Sequence, residues 1–214
     1  MWLVLLARRE WRVIRAGALA AFGIGLVSVA VTGLGGWIGY VSQLLTHIAE
    51  QTWPPVLTFQ STAGFFQHML VGSAEWNIQP IVHAPELALA LSLGISLAAL
   101  AITFMRAYRS DFEVAFAAAV TLGVVLLPLA EDYHYALLLL PIAVAASRTL
   151  RPPVRGRGLA WLALVVALLA APWPYAALPD DGWSALLGYP RLYGGWLLWA
   201  GLVTDSARRE DVPR

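Results

Sequence analysis

The sequence predicts an all-α protein, a polytopic bundle of about six transmembrane helices, and three observations support this fold class. Of the 214 residues, 59% are apolar and only 13% are charged, whereas roughly a quarter of the residues of a soluble domain are charged. The mean hydropathy is +0.68. Long uncharged runs follow one another, and nearly all basic residues fall between alternate runs. This composition excludes a soluble globular protein.

The same composition excludes several classes of function. Basic and acidic residues balance at 14 and 13, and there is no basic run, so no nucleic acid partner is expected. The chain has no cysteine, which excludes disulfides, cysteine-based zinc sites and thiol nucleophiles. The four histidines are scattered rather than spaced as ligands on one helix, so we predict neither a metal nor a cofactor.

The first residues, Met1–Leu6, are apolar and precede a group of arginines, which is the reverse of the order in a secretory signal. Six helical residues rise only about 9 Å and cannot cross a hydrocarbon core of about 30 Å. Met1–Leu6 is therefore predicted to be either the end of a span that begins upstream or a short interfacial lead-in.

Six later segments are candidate transmembrane helices, because each is mostly apolar and long enough to cross a bilayer. They are Ala16–Ile38, Glu86–Met105, Phe112–Leu129, Tyr133–Leu150, Gly158–Pro174 and Trp183–Val203. Pro190 and Arg191 interrupt the sixth, which is either a kinked helix or an interfacial segment followed by a short span. Two stripes of small residues would let another helix approach closely: Gly17, Ala21 and Gly25, and Ala115, Ala119 and Gly123.

The arginines test this topology independently of hydropathy. If successive spans alternate in direction, every arginine except Arg191 falls on one side of the membrane. The positive-inside rule makes that side cytoplasmic, and it places both termini there. We therefore predict a single transmembrane domain, 1–214, with one long extracytoplasmic loop, 39–85.

The long loop is rich in aromatic residues, so we expect it to fold against the membrane surface. Ser61 is a candidate N-cap for a helix that ends near Val71, and Gln60, Gly64 and His68 fall on one side of that helix at intervals of four residues. The helix N-terminus can bind an anion such as a lipid-linked phosphate. Alternatively, the helix is an amphipathic interfacial element that only seals the bundle.

We call the segment of the long loop that contains Gln60, Ser61 and His68 the first polar island. The second polar island lies between the third and fourth predicted spans and contains Glu131, Asp132 and His134. Ionisable groups at the edge of a membrane cost free energy unless they face a cavity or one another. Asp132 and His134 could form a carboxylate–imidazole pair, which would orient the imidazole and raise its basicity. The alternative is an ordinary solvated turn between two spans.

Together the two segments resemble a family of membrane enzymes. Phe59–His68 (FQSTAGFFQH) resembles the Asn-Gln-Ser-x-x-Gly-x-x-x-Arg segment of glycosyltransferase family 87, the bacterial mannosyltransferases that use a polyprenyl-phosphate donor. Pro128–Pro141 (PLAEDYHYALLLLP) resembles that family's Ser-Pro-x-Ser-Trp-Asp/Glu-His-His turn, which is followed by a Leu-rich span and a proline. The order, spacing and sidedness of the two segments also agree, and the resemblance covers about Met1 to Pro153.

The resemblance implies the C-terminal half of a GT-C fold in a bacterial plasma membrane. The implied activity is hexosyl transfer, with mannose as the expected sugar, from a polyprenyl-phosphate donor to a lipid or glycan acceptor on the extracytoplasmic side. It implies catalytic roles for Asp132 and His134. It also implies donor-binding roles for a second group of residues: Gln60, Ser61, Gly64 and His68.

This chain departs from the family pattern at several positions. His68 stands where the family has arginine, and a neutral imidazole binds phosphate less strongly than a guanidinium does. Phe59, Glu131 and Tyr133 replace Asn, Trp and His. The family's usual catalytic carboxylate belongs to an earlier outer loop, so we expect either a fragment or a truncated homologue that is inactive alone. The competing functional class is a non-catalytic membrane scaffold or a small transporter, although a transporter should carry ionisable groups in mid-span.

Overall fold

A computed structural model describes residues 2–50, 57–73, 77, 79–152, 156–170, 172, 174, 178–179 and 181–208. Every regular element in these ranges is helical, which confirms the predicted all-α class. The α-helices are α1 (Trp2–Ala7), α2 (Trp11–Glu50), α3 (Thr62–Leu70), α4 (Pro85–Ala107), α5 (Phe112–Leu126), α6 (Leu139–Thr149), α7 (Gly156–Ala170), α8 (Ala185–Gly188) and α9 (Pro190–Arg208). A 3₁₀ helix, Asp132–Leu138, directly precedes α6.

Two of these helices are long and apolar enough to cross a membrane. They are the segment Trp11–Thr46 of α2 and the whole of α4, while α5 and α7 are apolar but shorter. The structure therefore supports a helical protein with candidate membrane spans, and the predicted number of six spans remains a prediction.

Helix α2 is longer than the predicted first span. It continues past Ile38 to Glu50, so the first part of the predicted 39–85 loop is helical, because no proline interrupts the chain before Pro54. The helix kinks at Gly33, whose φ of 76° is a conformation that favours glycine. The ring of Trp2 lies against Gly17, whereas no described atom outside the helix backbone lies within 4 Å of a Cβ built at Gly25.

Helix α1 is inserted into the bundle rather than lying at its edge. Val4 and Ala7 are buried in one cluster with Ala107 of α4 and with Ala115 and Ala119 of α5. Ala115 and Ala119 thus admit a neighbouring helix, as their spacing predicts, whereas no described atom outside the helix backbone lies within 4 Å of a Cβ built at Gly123. The adjacent Arg8 donates to the carbonyl oxygens of Ala107 (3.1 Å) and Ser110, which caps the C-terminal end of α4.

The main core lies where α5, α7 and α9 pack together. It includes Val114, Val165 and Leu198, each no more than 1% exposed. Glycines bring α9 close to its neighbours, because a Cβ at Gly195 would lie 2.4 Å from Val125 and a Cβ at Gly201 would lie 2.1 Å from Trp161. Substitution at either glycine would push the helices apart.

Two of the predicted spans are built from two pieces each. The predicted span Tyr133–Leu150 is a 3₁₀ helix followed by α6, which together rise about 30 Å. Pro141 is the third residue of α6, where its missing N–H breaks no helical hydrogen bond. The predicted sixth span divides at Tyr189 into α8 and α9, with Pro190 as the favoured first helical residue. The segment is therefore two helices and not one continuous kinked helix.

Candidate functional site

Both predicted polar islands lie at the same end of the bundle, where they contact each other. The segment that enters α3 runs along the C-terminal end of α5. The Gln60 N–H donates to the Ala130 carbonyl (2.9 Å) and the Ser61 hydroxyl donates to the Pro128 carbonyl (2.8 Å). The Thr62 hydroxyl donates to the Val125 carbonyl, also at 2.9 Å.

One of these three donors satisfies a terminal carbonyl of α5, and the other two satisfy carbonyls of the turn that follows it. The last carbonyls of a helix have no partner within the helix, and buried carbonyls without partners are costly. Gln60, Ser61 and Thr62 are themselves at most 3% exposed. The motif segment therefore caps the C-terminal end of α5 through Thr62, and it fixes the turn after α5 through Gln60 and Ser61.

Ser61 is also the N-cap of α3, as its position predicts. Its hydroxyl oxygen accepts the Gly64 N–H at 2.9 Å, and α3 begins at the next residue. A Cβ at Gly64 would lie 2.4 Å from the Phe59 carbonyl oxygen. The space beside Gly64 is thus taken by the chain itself, and glycine is needed to close this turn.

Gln60 is held by contacts from three segments. Its side-chain amide donates to the carbonyls of Leu57 (2.6 Å) and Gly188 (2.8 Å), and its own backbone carbonyl accepts from the Tyr135 hydroxyl. The Oε1 atom is buried and has no hydrogen-bond partner among the described residues. Gln60 therefore connects the residues before α3 to the turn between α8 and α9, and its Oε1 is a buried hydrogen-bond acceptor.

His68 lies inside the bundle, at 3% exposure. Its Nε2 is 3.5 Å from the Ser184 hydroxyl oxygen, and that hydroxyl donates to the Asp181 carbonyl (2.7 Å). Since the serine proton is already committed, the imidazole Nε2–H is the donor in this long contact. The pair is therefore not an activated serine nucleophile, and it joins α3 to the turn before α8.

Tyr189 completes this buried layer. Its hydroxyl donates to the Gly64 carbonyl at 2.9 Å, and its ring packs on those of Phe65 and His68. Tyr189 is 0% exposed, so this hydrogen bond and these ring contacts lie inside the protein.

The predicted contact between Asp132 and His134 is not formed, and this prediction was wrong. The Asp132 carboxylate makes a salt bridge with Arg191 of α9, because a permanent guanidinium is a stronger partner than a neutral imidazole. His134 instead completes the N-terminal cap of the 3₁₀ helix, where its Nδ1 accepts the Glu131 N–H at 3.1 Å. The Tyr133 and His134 ring centroids are 4.1 Å apart.

The cap fixes the tautomer of His134. Because Nδ1 accepts a backbone N–H, the ring proton of the neutral imidazole lies on Nε2. His134 can therefore donate from Nε2, but it has no lone pair available for a second proton while the cap is intact. This arrangement suits a hydrogen-bond donor and not a general base.

Arg191 is the residue that sequence reasoning missed. In the sequence it interrupts the last predicted span, and it is the one arginine that the predicted topology assigns to the outer side. The structure places it beside Asp132, and its Nε also donates to the Leu169 carbonyl at the end of α7 (3.3 Å). Its exceptional position in the charge pattern was the available signal.

A family model described as glycosyltransferase family 87 matches residues 1–130 of this chain. No curated protein and no solved structure matches it. The matched range contains Gln60, Ser61, Gly64 and His68, and it ends just before Asp132.

Replacing Ser61 by alanine tests its two hydrogen bonds, one as the N-cap of α3 and one to the Pro128 carbonyl. Ser61→Ala removes the N-cap of α3 and leaves the Pro128 carbonyl without its donor, so we expect a loss of about 1–3 kcal/mol in unfolding free energy. The measurements are the melting temperature in detergent and amide exchange at Gly64. Ser147→Ala, at an exposed serine of α6, is the matched control, and equal effects of the two variants would contradict the role.

Proposed function

The chain belongs to glycosyltransferase family 87, and from this premise we propose that it transfers a hexose, with mannose expected, from a polyprenyl-phosphate donor to a lipid or glycan acceptor. The family implies a membrane glycosyltransferase, with a sugar donor and an acceptor as partners. The donor lipid, the sugar and the extracytoplasmic location of the acceptor belong to the proposal.

The observation that carries the proposal is the convergence of both motif segments at one end of the bundle. Hydrogen bonds from Gln60 and Ser61 join the residues that precede α3 to the turn after α5. The salt bridge between Asp132 and Arg191 lies beyond this junction, with the Asp132 side chain 54% exposed. Buried polar contacts thus support an ionic group that a substrate can reach.

The reaction requires one bond to form and one to break. The acceptor hydroxyl oxygen bonds to the sugar C1, the bond from C1 to the phosphate oxygen breaks, and the polyprenyl phosphate departs with that electron pair. The acceptor proton passes to a base. A general base contributes roughly 10²–10⁴-fold, and stabilising the leaving phosphate is often the larger effect.

Asp132 and His134 suit different parts of this reaction. A carboxylate accepts hydrogen bonds and repels a phosphate, so we propose that Asp132 contacts the acceptor hydroxyl. His134 donates from Nε2, so we propose that it contacts an oxygen of the sugar or the phosphate. Both are the catalytic residues of this proposal.

The four residues of the first motif have a supporting role in the proposal. Ser61 and Gly64 form the turn that begins α3, and Gln60 and His68 attach it to the α8 region. We propose that they shape the donor side of the site by holding the turn that begins α3.

The proposed setting is a bacterial plasma membrane crossed about six times, with both termini cytoplasmic. The bundle end that carries Arg8 and the salt bridge between Arg148 and Asp111 (2.6 Å) then faces the cytoplasm. The end that carries Asp132 faces outward.

Replacing Asp132 by asparagine tests the assigned reaction. In membranes of cells expressing the full chain, Asp132→Asn should lower hexosyl transfer from a radiolabelled polyprenyl-phosphate sugar by about a hundredfold or more. Asp111→Asn is the matched control, because it alters the salt bridge at the opposite end of the bundle. Unchanged transfer by Asp132→Asn would remove this carboxylate from the mechanism, and an absence of transfer by the unaltered full chain would favour the non-catalytic scaffold.

Two substitutions distinguish the roles of His134. Glutamine can place an N–H near the Nε2 position, while asparagine can place its oxygen near Nδ1 and keep only the cap. If Nε2–H contacts the substrate, His134→Gln should retain more transfer than His134→Asn in the same assay. Greater activity of His134→Asn would contradict the donor role.

A further inference from the structure

Arg191 occupies an electrostatically unusual place in this chain. It is the second residue of α9, and the N-terminus of a helix already carries a partial positive charge. A cation is unfavourable there unless an anion compensates for it. The Arg191 side chain is only 16% exposed, so solvent supplies little of that compensation.

Among the described residues, the Asp132 carboxylate forms a salt bridge with Arg191 and supplies such an anion. The two partners differ in their access to solvent, since Asp132 is 54% exposed and Arg191 is 16% exposed. The Arg191 Nε donates to the Leu169 carbonyl, whereas the Asp132 carboxylate is the more exposed partner. An incoming anion can therefore replace Asp132 without moving Arg191.

The surroundings of Arg191 indicate what kind of anion it meets. The preceding segment exposes large apolar side chains, with Trp183 64% and Leu187 63% exposed. Such side chains suit the boundary between hydrocarbon and headgroups. A ligand with a hydrocarbon chain along α8 would have its charged head beside Arg191.

We propose that Arg191 binds a lipid-borne phosphate, and that Asp132 is the internal counter-ion which this phosphate displaces. A guanidinium offers paired N–H donors to phosphate oxygens. Displacement also leaves the Asp132 carboxylate available for an acceptor hydroxyl. This inference rests on the proposed function, because it identifies the lipid phosphate with that of the sugar donor.

Binding of a defined probe tests the inference without requiring turnover. The full chain is placed in phosphatidylcholine nanodiscs and titrated with a radiolabelled short-chain isoprenyl monophosphate. We expect Arg191→Gln to weaken binding roughly ten- to hundredfold, while Arg151→Gln, at an exposed arginine of the opposite end, has no effect. Equal affinity of Arg191→Gln and the unaltered chain would overturn the proposal.

Asp132→Asn supplies an independent result that a merely structural ion pair would not give. Removing the competing carboxylate should tighten probe binding by several-fold, even though the same variant is expected to lose hexosyl transfer. Asp111→Asn should leave binding unchanged. If Arg191→Gln fails to fold, tighter binding by Asp132→Asn supports the proposal, and unchanged or weaker binding overturns it.

Competition distinguishes the source of the phosphate. Phosphatidylglycerol and inorganic phosphate should displace the probe only at far higher concentrations than unlabelled isoprenyl phosphate. Equal displacement by phosphatidylglycerol would overturn the assignment to the donor lipid. The two proposals can fail separately. If the chain shows no transfer activity but binds the probe in an Arg191-dependent way, this inference is supported and the proposed function fails. If Arg191→Gln shows normal transfer, this inference fails and the proposed function stands.

Discussion

One end of the bundle depends on the segment that enters α3, which caps α5 and holds the turn that follows it. Buried backbone carbonyls must find donors, and within a membrane water cannot supply them. Gln60, Ser61 and Thr62 provide three donors in succession. The same contacts fix where α3 begins, and through Gln60 they fix the turn between α8 and α9.

This constraint divides the site into a supporting layer and a reactive layer. The supporting layer is buried and consists of hydrogen bonds between loop side chains and backbone carbonyls, with Tyr189 and His68 packed among them. The layer that we propose to be reactive contains Asp132, His134 and Arg191. A rigid scaffold under a few accessible polar groups is the arrangement that a transfer reaction requires, because the reacting atoms must be held in place.

The helical class and the cap at Ser61 can be predicted from the sequence, since each follows from a strong local signal. Hydropathy runs locate helices, and a serine before an apolar helix predicts a cap. The partner of Asp132 could not be predicted in this way, because Arg191 is distant in sequence and the choice of partner depends on tertiary packing. The close contact between Gly64 and the Phe59 carbonyl oxygen could not be predicted either, because it follows only from the backbone path. The sequence does not distinguish a kink at Pro190 from a division into two helices, and the structure shows two helices, α8 and α9.

The absence of cysteine from the chain allows a direct test of the central claim, that both polar islands face one aqueous compartment opposite the arginine-rich side. Single cysteines replace exposed residues at Thr58, Tyr133 and Arg109, and intact cells are treated with a membrane-impermeant maleimide. The account predicts that Thr58→Cys and Tyr133→Cys are labelled from outside, while Arg109→Cys is labelled only after the membrane is opened. Labelling of Thr58→Cys and Tyr133→Cys from different compartments would contradict the account.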